Sequence, residues 1–250
     1  MSKRLLPLLS LALLTSTSAA QSTADKTEPL KVKLVGVSEQ LLFPQKARLS
    51  DILQQAQQQN LALEYPLGTT LFNNSEDALS ESTALKNSVL IKMIKHDLSD
   101  HKLYDFIQSH QFAPRILSAI DVDRIRLDKF ENPLISGDLT LVSPKREEKV
   151  IYLGNLEQVY FVKNQAGIPL KEQIRNLKRN IGELAHLPIL IYPDGKVVKP
   201  HHGSWLTTQY YLPPLTMVYF PFDELDTSEM DQDIVKLLTQ LKPTSIKSPL

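Results

Sequence analysis

The chain has 250 residues, with 28 Lys or Arg against 28 Asp or Glu and no cysteine. This balance argues against a nucleic-acid partner, whose binding needs clustered cations; Lys145-Arg146 and the basic scatter over 171–179 read as solvated positions on a turn and a helix face. Without cysteine no disulfide can hold the fold, so a hydrophobic core must.

Lys3 and Arg4, the apolar run Leu5 to Leu14 and the small-residue exit Ser18-Ala19-Ala20 have the layout of a cleavable secretory signal peptide. Residues 1–20 are therefore set apart, and a periplasmic or extracellular location is expected. Removing Lys3 and Arg4 leaves 26 basic against 28 acidic side chains. No Cys follows the expected cut, which argues against a lipid anchor, and no later apolar run approaches the roughly 18 residues of a membrane span.

One phrase occurs twice. Gly36-Val37-Ser38-Glu39-Gln40-Leu41-Leu42-Phe43 and Gly154-Asn155-Leu156-Glu157-Gln158-Val159-Tyr160-Phe161 share Gly-x-x-Glu-Gln, two apolar residues and Phe, 118 residues apart. Before the first phrase Val32-Lys33-Leu34-Val35 alternates like a half-buried strand, and before the second Val150-Ile151-Tyr152-Leu153 is apolar throughout. Each phrase reads as the turn and return of a β-hairpin. A helix follows each: Ser50 is expected to cap the first, with Ile52, Leu53 and Ala56 inward, and Pro169 opens the second, with Leu170, Ile174 and Leu177 at helical spacing.

The units also close alike, on a Pro-containing turn and an apolar strand, at 132–142 and 212–220. Hairpin, helix and closing strand is the order of a β-grasp domain, in which a right-handed crossover brings the last strand beside the first. The second unit adds a hairpin through Pro193-Asp194-Gly195. The first is about 43 residues longer from helix to closing strand, which predicts an inserted helical hairpin over 76–118, with helices at 84–98 and 103–107 and Ser99 as a cap. The expected fold is α+β: two tandem β-grasp (ubiquitin-like) domains at 21–147 and 148–222, then an amphipathic helix and tail over 223–250. In that helix Met230, Ile234, Leu237, Leu238 and Leu241 share one face, Asp231, Asp233, Lys236 and Gln240 take the other, and Pro243 stops it. The apolar face either docks on its own protein or inserts into a partner or a membrane surface, and the acidic start with a single Lys argues against anionic lipid.

The residues 32–56 with the Asn132-Pro133-Leu134-x-x-Gly137-Asp138 turn resemble the ligand-binding β-grasp modules of Wza-type outer-membrane polysaccharide exporters. Over nearly its whole mature length the chain resembles the GfcC family of periplasmic proteins of capsule and exopolysaccharide assembly. The resemblance implies a non-catalytic accessory that binds polysaccharide or the exporter, without a cofactor, and a monomer is compatible with it. It also implies an arginine in a cleft near the insertion, carried here by Arg115 with Asp123 and Arg126; Pro114 replaces the small residue that precedes that arginine in the family. A guanidinium suits a carboxylate or an acidic sugar, whereas the alternative is an Arg paired with Asp121 or Asp123 to hold the insert. The terminal helix, about 12 residues or roughly 18 Å, is too short for a hydrocarbon core of about 30 Å.

Other chemistry has weaker signals. Asp121 and Asp123 would share one strand face. His201-His202 lacks the further ligands of a metal site, and Trp205 is either a sugar-stacking platform or a packing residue. A polysaccharide-modifying enzyme would need two carboxylates facing across a cleft near Arg115, which sequence spacing does not place.

Overall fold

The computed structural model describes residues 29–181 and 185–243, with the backbone alone for 178–181. The expected signal peptide and the residues after Pro243 lie outside the described residues. The fold is mixed α+β, with two five-stranded sheets.

In the first half β1 (Leu30–Leu34) and β2 (Gln40–Phe43) form the expected antiparallel hairpin, and β7 (Gly137–Val142) lies parallel to β1. Outside β7 come β4 (Thr70–Asn73) and β5 (Arg115–Leu117), giving the order β2-β1-β7-β4-β5. The second half repeats it: β8 (Lys149–Gly154) pairs with β9 (Tyr160–Lys163), β12 (Met217–Phe220) lies parallel to β8, and β10 (Ile189–Ile191) and β11 (Val197–Val198) complete the order β9-β8-β12-β10-β11. The hairpin at Pro193-Asp194-Gly195 is therefore no addition to the second unit. Its counterpart is β4 and β5, and the insert replaces the tight turn between them.

The shared phrase marks both hairpins at different registers: Phe43 faces Leu30, whereas Phe161 faces Ile151. Gly154 stays in β8 at φ +113°, and a Cβ there would lie 2.1 Å from the Phe220 carbonyl oxygen. Only glycine fits so close a backbone approach.

The insert consists of α2 (Glu76–Lys95) and α3 (Lys102–Ser109), longer than the expected helices, and it ends before β5 rather than at 118. Ser75 caps α2. The cap of α3 is His101, not Ser99: its Nδ1 accepts from the Leu103 N–H at 3.1 Å. Helix α1 (Leu49–Gln58) begins two residues before the helix that Ser50 would cap, so Ser50 lies inside its first turn. Its free N–H groups go instead to the distant closing turn, Ser50 N–H to Asn132 Oδ1 at 2.9 Å and Leu49 N–H to the Pro133 carbonyl at 3.0 Å. A short antiparallel pair, β3 (Ala47–Arg48) with β6 (Leu134–Ile135), holds that turn against the helix.

The two sheets differ in what covers them. Helix α1 buries Ile52, Leu53 and Ala56 on one face of the first sheet, against Leu30, Val32, Leu71 and Leu139, while Lys31 and Lys33 point away from it. The second sheet is covered on both faces. Helix α5 (Leu170–Ile181) packs through Leu170 and Ile174 on Val150, Tyr152, Leu190 and Val218. On the opposite face Ile151, Leu153, Ile191, Met217 and Tyr219 meet α2, α3 and α7 (Glu229–Leu238) in one core. The first unit's insert thus roofs the second unit's sheet.

Met230, Ile234, Leu237, Leu238 and Leu241 are at most 5% exposed within that core. Of the two readings of this face, docking on its own protein holds, and the assignment of these residues to a partner is corrected: burial against β12 and α2 occupies the apolar face. Asp231, expected on the polar face, is also fully buried. Its carboxylate accepts from the Tyr219 hydroxyl, the Ser228 hydroxyl and the Phe222 and Asp223 N–H groups. A buried carboxylate at a helix N-terminus is tolerable when so many donors point at it, and burial together with the Asp231 charge raises the Tyr219 pKa well above the usual tyrosine range.

Burial lowers the pKa of His101, against a hydrogen bond with the Leu156 backbone, and burial followed by the Lys86 charge lowers that of His110. Both rings stay neutral in the fold at pH values where the unfolded chain takes up protons, so folding loses stability as pH falls below about 6.5. Urea midpoints measured between about pH 7.5 and pH 5.5 should fall, and His101→Asn, which can cap without titrating, should reduce the loss. An unchanged midpoint across that range would contradict this assignment.

Candidate functional site

Arg115, the expected ligand group, lies at the seam between the two units. Its Nε donates to the Thr239 carbonyl at 2.5 Å, and Nη1 donates to the Pro193 carbonyl at 2.8 Å and to Thr70 Oγ1 at 3.1 Å. The guanidinium also lies 5.2 Å from the Phe72 ring centroid. Thr239 follows the last turn of α7, where free carbonyls attract a cation. One side chain therefore ties β5, the β10–β11 turn and the end of α7 together. Gly195, at φ +85°, lets it pass, since a Cβ there would stand 3.1 Å from Arg115 Cδ.

Burial pulls the Arg115 pKa down to about 10, and Asp194 acts in the opposite direction. The adjoining chamber is only about 90 Å³, well below the roughly 300–1,000 Å³ of small-molecule pockets. Glu147 is the one carboxylate among its described lining residues, and it pairs with Lys149. A second tie across the seam is the Tyr65 hydroxyl, which donates to the Pro214 carbonyl at 2.9 Å.

Asp123 and Arg126 do not join Arg115. They are exposed on α4 (Val122–Leu127), which packs through Ile125 on the core beneath α1. The expected strand at Asp121 is the start of this helix: Asp121 Oδ1 accepts from the N–H groups of Asp123, at 2.9 Å, and Arg124. A carboxylate at such a spacing competes with extended backbone by capping.

Trp205 packs against the core beneath α5, as one of its two readings had it, and it also lines a groove. It sits half-buried on α6 (His202–Thr207), near-parallel to Tyr210 with ring centroids 6.4 Å apart and 22° between planes. The helix starts with a reciprocal cap: the Ser204 N–H donates to His201 Nδ1 at 3.2 Å and the His201 N–H to Ser204 Oγ at 3.0 Å. Tyr210 then donates its hydroxyl to Ser204 Oγ at 2.8 Å, so the serine that caps α6 also holds Tyr210. His201 Nδ1 is committed to that cap, and among the described residues no group of three or more His, Asp or Glu could hold a metal.

The groove has a volume of about 1190 Å³ and runs from α6 to α5. Lys171 and Lys199 line it without an ion pair among the described residues, while Arg175 pairs with Glu172 at 2.7 Å. Glu224 and Asp226 contribute acidic groups to the lining. An aromatic platform beside ammonium and amide groups can stack on the apolar face of a sugar ring while the polar groups meet its hydroxyls. Sequence reasoning singled out Trp205 but missed Tyr210 and the two lysines; aromatic residues five apart at the end of a short helix were the available signal.

If Arg115 ties the seam, Arg115→Lys should lower stability by about 2 kcal/mol in urea unfolding, because a single ammonium cannot span its acceptors. Wild-type stability combined with lost ligand binding would return Arg115 to a ligand role. No protein-family model matches the sequence, so the functional reading rests on these residues.

Proposed function

We propose that the chain is a non-catalytic periplasmic accessory of capsule or exopolysaccharide assembly, built from two β-grasp modules, and that the groove at Trp205 binds a segment of the polymer. The order shared by both sheets supports the modules: in each, the first hairpin sits beside the closing strand, a helix crosses one face, and a further hairpin follows on the other side. The observation that carries the ligand reading is the Trp205–Tyr210 platform in a groove that Lys171 and Lys199 also line and that is large enough for several sugar rings. Polysaccharide is favoured over the outer-membrane exporter as the main ligand. The apolar face of α7, the feature best suited to a protein partner, is buried in the core.

Trp205 is the one tryptophan of the chain, so its emission reports on the groove directly. Titration with oligosaccharides cut from the host's own polymer should give a saturable change in emission. Lys199→Gln should weaken it by about tenfold, the worth of one charge-assisted hydrogen bond. Unchanged emission at millimolar oligosaccharide would sink the groove as the polymer site, and new reducing ends appearing over hours would replace binding with hydrolysis.

A further inference from the structure

We propose a second ligand site on the open face of the first sheet, for an anionic, hydroxylated ligand such as a hexuronate. The alternating sequence of β1 dictates its first element. With Leu30, Val32 and Leu34 turned to α1, Lys33 must emerge on the other face. Thr140 on β7 is its partner in register and shares that face. Helix α2 rises across the same surface carrying Lys86, and the chain leaving α7 returns along Gln111, its Lys242 N–H donating to the Gln111 carbonyl at 3.0 Å. Three ammonium groups from three distant segments thus line one cleft of about 530 Å³.

Lys242 donates to Asn74 Oδ1 at 3.4 Å and feels the Asp138 charge. Among the described residues neither Lys33 nor Lys86 has a carboxylate within ion-pair distance, the limit being 4.0 Å. Lys86 donates to the carbonyls of Gln108 and His110, at 2.7 and 2.9 Å, which fixes its ammonium at the cleft wall. Burial and then the Lys33 charge lower the Lys242 pKa, with Asp138 opposing them. Lys33 and Lys242 are thus near enough to act on one another, and like charges so placed favour an anion between them.

The cleft also has an unfinished floor. Thr140 is 3% exposed, and its Oγ1 has no hydrogen-bond partner among the described residues. His110 presents a second such atom: Nδ1 lies 2.6 Å from the Phe106 carbonyl, which can only accept, so the ring donates there and its buried Nε2 is left unpartnered. Buried polar atoms are seldom left unpaired in a native fold, and these two belong to residues that line the cationic cleft. Lysines act as point charges without the planar fork of arginine, so they accept a carboxylate or a phosphate. The amides of Asn87 and Gln111 suit hydroxyls, and the volume suits one or two sugar rings.

The site is separate from the groove at Trp205 and does not depend on that reading. Calorimetry and amide chemical shifts of the mature chain, titrated with D-glucuronate, D-glucose and inorganic phosphate, test it. Glucuronate should bind and glucose should not. Lys33→Gln, at an exposed position, should weaken binding about tenfold. Thr140→Val should weaken it while leaving the melting temperature unchanged or raised, because the unpaired hydroxyl is gone. Phosphate binding with the same dependence on Lys33 would keep the anion site and identify phosphate as the ligand source. The proposal is overturned if neither anion binds, or if binding survives Lys33→Gln and Thr140→Val but is lost in Trp205→Ala. Should Thr140→Val fail to fold, Lys33→Gln alone decides.

Discussion

The second sheet is apolar on both faces, and most of the architecture answers that constraint. A sheet of this kind must be covered twice. Helix α5 supplies one cover from within its own unit, but the unit is too short to supply the other. Ile151, Leu153, Ile191, Met217 and Tyr219 are buried by helices from elsewhere, α2 and α3 from the first unit and α7 from the end of the chain. The insertion is therefore the roof of the neighbouring sheet, and the terminal helix is its second beam. Arg115 and Tyr65 tie the same seam through carbonyls of the second unit, and Asp231 anchors the start of α7 through buried donors.

Two sheets of equal strand order thereby acquire different surfaces. The second has no free face, and its groove opens between α6 and α5. The first keeps part of one face clear, and its strands place lysine rather than leucine there. Arg115 illustrates the converse: a cation placed inside the seam spends its donors on the protein's own carbonyls.

Much of this was legible in the sequence wherever a periodicity spoke for it. The alternation of Val32-Lys33-Leu34-Val35 against the unbroken apolar run Val150-Ile151-Tyr152-Leu153 matches one strand buried on one face and one buried on both. The length difference between the units located the insert. The spacing of Met230, Ile234, Leu237 and Leu238 defined the buried face of α7. What remained hidden depended on partners distant in sequence. Ser50 gave no sign that Asn132 would serve its helix, because a cap supplied across 82 residues has no local pattern. Strands β4 and β5 are four and three residues long and separated by the insert, so no alternation marks them as one hairpin. Asp231 looked like a surface acid because burial of a carboxylate depends on donors that only the folded chain assembles. Trp205 was visible as a residue type, whereas the groove it lines needed α5 and α6 in place.

A core shared between the units makes a direct statement about cooperativity: insert, terminal helix and second sheet should open together. Native-state hydrogen exchange measures this residue by residue. Amides of Met93 in α2, Val218 in β12 and Leu237 in α7 should exchange with one common opening free energy. If Leu237 and its neighbours exchange independently while Val218 stays protected, α7 is a separable element, and the shared core does not hold the protein together.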